Sequence, residues 1–207
     1  FFEDFYLITI LLIFLTFFYF VSDLDESFAK TLLVITSSFS TSGIAFQDMQ
    51  SNYYFLLITL TILGGSALST SSGLKFIRVY VLFKHAMTEL SKASRPLNII
   101  NKKLFYGHLK VQEDDENISF FIFITFLLLL FILAGLLTVG VPDLENAFTL
   151  SILTLTNTLA SSIYNLSDLN FFNLNHSSKI SLIIFMILGK FELLGVLILF
   201  KKFIIRE

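Results

Sequence analysis

Between Ile118 and Val139 the chain runs for 22 residues, ISFFIFITFLLLLFILAGLLTV, without one charged side chain. About 20 apolar residues in a helix cross the roughly 30 Å of hydrocarbon in a bilayer, and a helix apolar on every face has no place on a soluble surface. The composition agrees: 55% of the 207 residues are hydrophobic, 14% are charged and 26 are Phe. A soluble core of this length holds far less apolar side chain. The expected class is an all-α integral membrane protein, because within lipid each segment must satisfy its own backbone polar groups.

Three further stretches are long enough to span: residues 5–21, residues 53–90 with a polar interruption, and residues 179–205. Two others, residues 26–38 and 145–156, are apolar but about a dozen residues long, only roughly 18 to 20 Å as helix. They are expected to enter the membrane and turn back. Asp23, Asp25 and Glu26 precede the first, and Asp143 and Glu145 open the second, which suits helix N-termini. Each ends in hydroxyl and amide side chains: SSFSTSGIAF from Ser37 to Phe46, and TLTNTLASS from Thr154 to Ser162.

Lys75, Arg78, Lys84, Lys92, Arg95, Lys102, Lys103 and Lys110 follow the second span, and Lys201, Lys202 and Arg206 lie near the last residue. By the positive-inside rule both regions are cytoplasmic, which leaves the two short segments facing outward. The chain then reads as a span, short helix, loop and span unit over residues 1–95, a cytoplasmic linker over 96–117, and a second such unit over 118–207. The repeat is a little over 110 residues long and runs in parallel topology. Loops 39–46 and 157–163 follow the short helices. The acidic run Glu113 to Glu116 is expected as a solvated cytoplasmic turn. No Cys is present, so disulfides and thiolate metal sites are excluded. His85, His108 and His176 stand apart from other ligands and are expected to be solvated or interfacial. The formal charge of −2 offers nothing to nucleic acid. The opening FFEDFYL has no basic segment ahead of its apolar run, so no signal peptide is expected.

Irregular backbone at membrane depth survives only where protein buries it or water fills a cavity beside it. The two loops are therefore expected to line a wet path. A short helix aimed inward contributes partial negative charge at its C-terminus, and carbonyls of the following loop can replace a cation's water shell. Gly43 permits the backbone turn this needs, and Ser40, Thr41 and Ser42 supply hydroxyls. The plainer alternative is an extracellular loop. GGSALSTSSG, Gly64 to Gly73, interrupts the second span with small polar residues, either as a packing kink or as a functional break. Lys190 lies within the last apolar stretch with Glu192 two positions on. Intramembrane charge points to function, the alternative being a lysine that snorkels to the interface.

These motifs resemble the C-terminal half of TrkH/KtrB-type potassium uptake subunits, the Trk/Ktr/HKT superfamily, which carry four span–loop–span repeats around one pore. Ser40, Thr41, Ser42 and Gly43 resemble that family's T-T-T-G filter. Residues 64–84, GGSALSTSSGLKFIRVYVLFK, resemble its G-G-x-x-G-S-T-G-G-G-I-K-x-x-R segment, with Leu68, Ser71 and Ser72 in place of glycines. TLTNT resembles the start of the fourth filter, where Leu159 or Ala160 stands in place of glycine, and LGKFELLGVLILF resembles L-G-R-x-E. The resemblance implies half of a four-repeat cation pore, with filter residues Ser40, Thr41, Ser42, Gly43, Asn157, Thr158, Leu159 and Ala160. It also implies a gating loop of Gly64, Gly65, Ser66, Ser69, Thr70 and Gly73, with Lys75 and Arg78 as anchors just cytoplasmic of it, and Lys190 as a positive barrier in the pore. K+ is the implied transported ion, with no cofactor and no metal site beyond the filter. The implied setting is a homodimer in the inner (plasma) membrane, multi-pass with a cytoplasmic C-terminus. A cytoplasmic nucleotide-binding regulatory subunit and missing N-terminal repeats, on this or another chain, complete it.

Two other functions fit parts of this pattern. A secondary transporter with broken helices also binds ions near the midplane, but it predicts inverted repeats. A non-conducting remnant or assembly protein of the same family would tolerate the lost filter glycine. No nucleophile and base pair stands inside the spans, so a membrane enzyme is not expected.

Overall fold

The computed structural model describes residues 2–21, 28–44, 54–66, 69, 71–94, 113–141, 143–158, 163–164, 166 and 171–190. Two long helices, α1 (Phe2–Val21) and α5 (Glu113–Leu137), are each followed by a short one, α2 (Phe28–Ser40) and α6 (Leu144–Leu155). Beyond α2 comes α3 (Tyr54–Ile62), which gives way to strand β1 (Leu63–Gly64), a loop, strand β2 (Leu74–Lys75) and helix α4 (Phe76–Ser94). A single 3-10 turn at Phe171–Asn173 and helix α7 (His176–Lys190) come after α6.

Length and composition let α1, over Glu3–Phe20, and α5, over Asp114–Leu137, cross a bilayer. α5 buries one stripe, Ile122, Phe126, Leu130, Leu133 and Leu137, at the helical three-or-four spacing. The rest of its surface is just as apolar: Phe120, Phe121, Leu128, Phe131 and Ile132 each stay more than half exposed, at 53% or above. Water would penalise such a face, whereas lipid does not.

α2 packs between α1 and α3, and α6 between α5 and α7, while α3 meets α6 and α4 meets α5. The short helices therefore occupy the centre. Val34 and Ile35 of α2, Leu57 and Leu60 of α3, Leu133 and Leu137 of α5, and Leu150 and Leu153 of α6 form one core. Buried hydroxyls on these helices are satisfied by carbonyls of the preceding turn: Thr61 Oγ1 donates to Ile58 O at 2.8 Å, Ser151 Oγ to Phe148 O at 2.7 Å, and Thr154 Oγ1 to Leu150 O at 2.6 Å. Thr31 on α2 is the exception among them, its buried hydroxyl having no hydrogen-bond partner among the described residues. The spacing of elements recurs: Phe28 and Leu144 open the short helices 116 positions apart, and Val21 and Leu137 close the long ones at the same interval.

Several boundaries differ from the sequence expectation. The acidic run from Glu113 is the first turn of α5; Asp114 and Asp115 there are exposed, as a solvated run would be, and acids suit the positive end of the helix dipole. Glu116 is buried. α2 reaches Ser40, so Ser40 belongs to the helix and not to the loop beginning at residue 39. Leu74 and Lys75 do not restart a helix; they pair in parallel with Leu63 and Gly64, and the helix begins at Phe76 and runs past Leu90 to Ser94. α7 begins at His176, three residues before the expected start at Lys179. Residues 96–112 of the expected linker, and residues 191–205 of the last expected span, lie outside the described residues.

Candidate functional site

The two short helices end in the same way. In α2 the N–H of Thr41 donates to Ser38 O at 3.3 Å and that of Ser42 to Ser37 O at 3.1 Å. In α6 the N–H of Asn157 donates to Thr154 O at 3.2 Å and that of Thr158 to Leu153 O at 2.9 Å. This paired pattern requires a left-handed residue after the helix, and Thr41 and Asn157 occupy it with φ of 52° and 54°. Left-handed backbone costs a residue with a Cβ roughly 1 to 2 kcal/mol, and a β-branched side chain tolerates it poorly. Two residues past Thr41, Gly43 has φ of 72°, where a glycine relieves the same cost.

Both helix ends meet at one residue. The N–H of Ser72 donates to Thr41 Oγ1 at 3.3 Å, and its hydroxyl accepts from Asn157 Nδ2 at 3.4 Å. Asn157 Nδ2 also donates to Met186 O on α7 at 3.1 Å. One turn back in α2, buried Ser38 accepts a hydrogen bond from Tyr164, 126 positions away, at 3.0 Å. At the opposite ends of the short elements, Tyr54 on α3 bonds to Glu145 in the first turn of α6. Each helix C-terminus carries about half a negative charge, so two of them converging on Ser72 favour a cation nearby.

Within the α2 loop, Ser37 Oγ donates to Ile44 O at 2.7 Å and Ser42 Oγ to Ser37 Oγ at 3.2 Å, so the hydroxyls fold the loop back on its helix. After α6, Thr156 and Thr158 share a hydrogen bond at 2.8 Å between buried hydroxyls.

The segment between α3 and α4 is a closed loop. Its base is the β1–β2 pair, reinforced by the N–H of Phe76 donating to Gly65 O at 3.2 Å. Inside it, Gly65 N–H donates to Ser71 Oγ at 2.8 Å, and the Ser69 and Ser71 hydroxyls share a hydrogen at 2.7 Å. Lys75 is only 7% exposed; its ammonium donates to Ser69 O at 2.5 Å and Ser71 O at 3.0 Å. It lies within the protein, because the strand pairing turns it toward the loop's carbonyls. A cavity of about 390 Å³ lies beside this loop, lined by Ser40, Ser66, Ser69, Ser71, Phe39 and Asp4 among others.

The structure thus brings Thr41, Asn157 and the loop carrying Gly65, Ser69 and Gly73 together, with exposed Ser40 and half-buried Ser66 on the cavity wall. Gly64 is buried in β1, and Gly73 has φ of 91°. Ser42 is exposed and Thr158 is 2% exposed. Thr70, Leu159, Ala160 and Glu192 lie outside the described residues. Lys190 is exposed at the last turn of α7. Sequence reasoning missed Ser72, Ser38 and Tyr164, whose partners are remote in the chain. His85 keeps a side chain 42% exposed, as an interfacial histidine would, and its Nδ1 lies 2.8 Å from a carboxylate oxygen of Glu116, a contact between α4 and α5 that the sequence did not indicate.

Apolar side chains facing outward on the long helices, with hydroxyls gathered at the ends of the two short ones, fit a helical membrane protein. No family model matches the chain. It is 29% identical over 196 residues to the Trk system potassium uptake protein TrkG of Escherichia coli (strain K12), covering 89% of this chain and 38% of that protein. It is 30% identical over 188 residues to TrkH of Salmonella typhimurium, covering 90% and 38%. The crystal structure of the potassium transporter TrkH from Vibrio parahaemolyticus matches with a TM-score of 0.76 at 25% identity, over 93% of this chain and 42% of that one. These matches make the chain similar, over most of its length, to a part of the Trk-type potassium transporters. The chain spans 38% of the length of the curated relatives named here. Such relatives are transporters and not enzymes.

Proposed function

We propose that this chain is a membrane-embedded part of a potassium uptake system, passing monovalent cations along a path lined by the loops after α2 and α6. The observation that carries this reading is the convergence of two identically capped helix C-termini on Ser72, which concentrates negative potential where hydroxyls and loop carbonyls are at hand. In this reading α2 and α6 are re-entrant half-helices of two parallel repeats, supported by the recurring interval of 116 positions. Thr41, Ser42 and Gly43, with Asn157, Thr158 and the following Leu159 and Ala160, line the filter. Ser40 ends the first half-helix beside it.

The loop from Gly64 to Gly73, held by Lys75, acts as a gate, and Lys190 places a fixed positive charge at the path. The chain works in the inner membrane with its C-terminus cytoplasmic. It works as a homodimer, with a cytoplasmic nucleotide-binding regulatory subunit and with further repeats completing the pore. The uptake activity of its relatives and the TrkH likeness support the potassium assignment.

Gly43→Val tests the filter. Valine cannot hold φ of 72° without strain, so rubidium uptake per inserted protein should fall at least tenfold while membrane insertion stays normal. Uptake and selectivity equal to the parent's would remove residues 41–43 from the ion path.

A further inference from the structure

The last turn of α2 carries the residues that follow it. Ser37 O accepts the N–H of Ser42 at 3.1 Å, Ser37 Oγ donates to Ile44 O at 2.7 Å, and Ser38 O accepts the N–H of Thr41 at 3.3 Å. Two adjacent serines therefore hold residues 41–44, left-handed Thr41 and Gly43 among them, and any tilt of that turn moves their carbonyls. Ser38 is itself held from the second unit of the chain. Tyr164, beyond α6, donates from its phenol to Ser38 Oγ at 3.0 Å, and both side chains are fully buried. Ile163 and Leu166 are buried in the same core, so packing fixes where the phenol oxygen stands. An apolar pair of the same shape would fill this space at little or no cost. A hydroxyl pair adds a fixed distance and direction, and a satisfied buried pair specifies one arrangement of the elements that carry it.

We propose that Tyr164 is a positioning residue for ion selectivity: a strut from the second unit that sets the last turn of α2 and, through Ser38 and Ser37, the backbone of residues 41–44. This rests on the reading that those residues line the filter. Groups that bind a ligand selectively have to be held to within about 0.5 Å by supporting residues that do not touch it. Carbonyls that replace an ion's water shell discriminate less between ions once their placement loosens. Without the phenol oxygen, Ser38 Oγ turns back to a carbonyl of its own helix, a bond that bends helices, and the turn loses its reference to the second unit. Tyr164 itself touches no ion.

Rubidium and sodium uptake per inserted protein are measured in cells expressing the full chain. Tyr164→Phe keeps the ring and should lower the rubidium-over-sodium ratio about fivefold, the scale of one lost neutral hydrogen bond. Ser38→Ala removes the other half of the bond and should lower the ratio by the same factor. The double variant should do no worse than either alone, because both substitutions break one contact. A tyrosine that served stability alone would lower both uptakes together and leave their ratio at the parent's. An unchanged ratio in Tyr164→Phe therefore overturns the strut, and so do effects that multiply in the double variant. Gly43→Val in the same cells separates this inference from the filter reading. Lost uptake in Gly43→Val with an unchanged ratio in Tyr164→Phe removes the strut and keeps the filter, whereas parental uptake and ratio in both variants remove the filter as well.

Discussion

Replacing Gly189 by alanine gives the sharpest check on how α7 seats against α6. A Cβ built at Gly189 would stand 2.9 Å from the carbonyl carbon and 3.0 Å from the Cα of Leu155, with the carbonyl oxygen closer still. Ordinary contact begins near 3.4 Å, so the helices must part by about 0.5 Å on the carbon alone and by more to clear the oxygen. The obstacle is backbone, which cannot rotate aside. Overpacking of this kind costs about 1 to 3 kcal/mol. Retreat of α7 also stretches the Asn157 Nδ2 to Met186 O bond, already 3.1 Å, at a further cost of about 1 kcal/mol. Gly135, on α5, supplies the control: a Cβ there meets nothing within 4 Å, so Gly135→Ala should be neutral or stabilising by up to about 1 kcal/mol through helix propensity. Thermal unfolding of the detergent-solubilised protein, followed by the loss of monodisperse material, should put Gly189→Ala well below the parent and Gly135→Ala at or above it. If the two variants unfold together, the close approach of α7 to Leu155 is refuted.

Tyr164→Phe removes the hydroxyl that reaches buried Ser38 and should destabilise the protein by about 1 kcal/mol in the same assay, with membrane insertion unaffected; an unchanged midpoint would mean that this bond contributes nothing. Lys190→Ala should raise rubidium flux per inserted protein if this ammonium faces the ion path. A unit charge 4 Å from a cation repels it by about 4 kcal/mol at an effective dielectric of 20, an upper figure that water reduces. Lys190→Arg should change flux little, and equal flux in all three proteins would place the lysine away from the path.

The membrane class was legible because it rests on run length and composition, which are local properties of the chain. The short helices were legible for the same reason: a dozen apolar residues between acids and hydroxyls bound a helix too short to span, and α2 and α6 fall within two residues of that reading. The hydroxyl-rich ends also announced themselves, although the sequence could not assign Ser40 to helix, since a serine serves equally as a last helical residue or a loop residue. What each polar group bonds to was decided by tertiary structure. Ser72 looks like any residue of a small polar break until α2 and α6 are docked on either side of it, with Thr41 31 positions away and Asn157 85 positions away. Lys75 reads as one more cytoplasmic positive charge by counting, but the β1–β2 pairing buries it and turns it onto the loop's carbonyls. Tyr164 and Ser38, and His85 and Glu116, carry no pattern in sequence that couples them. Hydrophobic periodicity specifies which face of an element is buried; it does not specify which polar atoms meet there, because that depends on the relative placement of elements that only packing fixes.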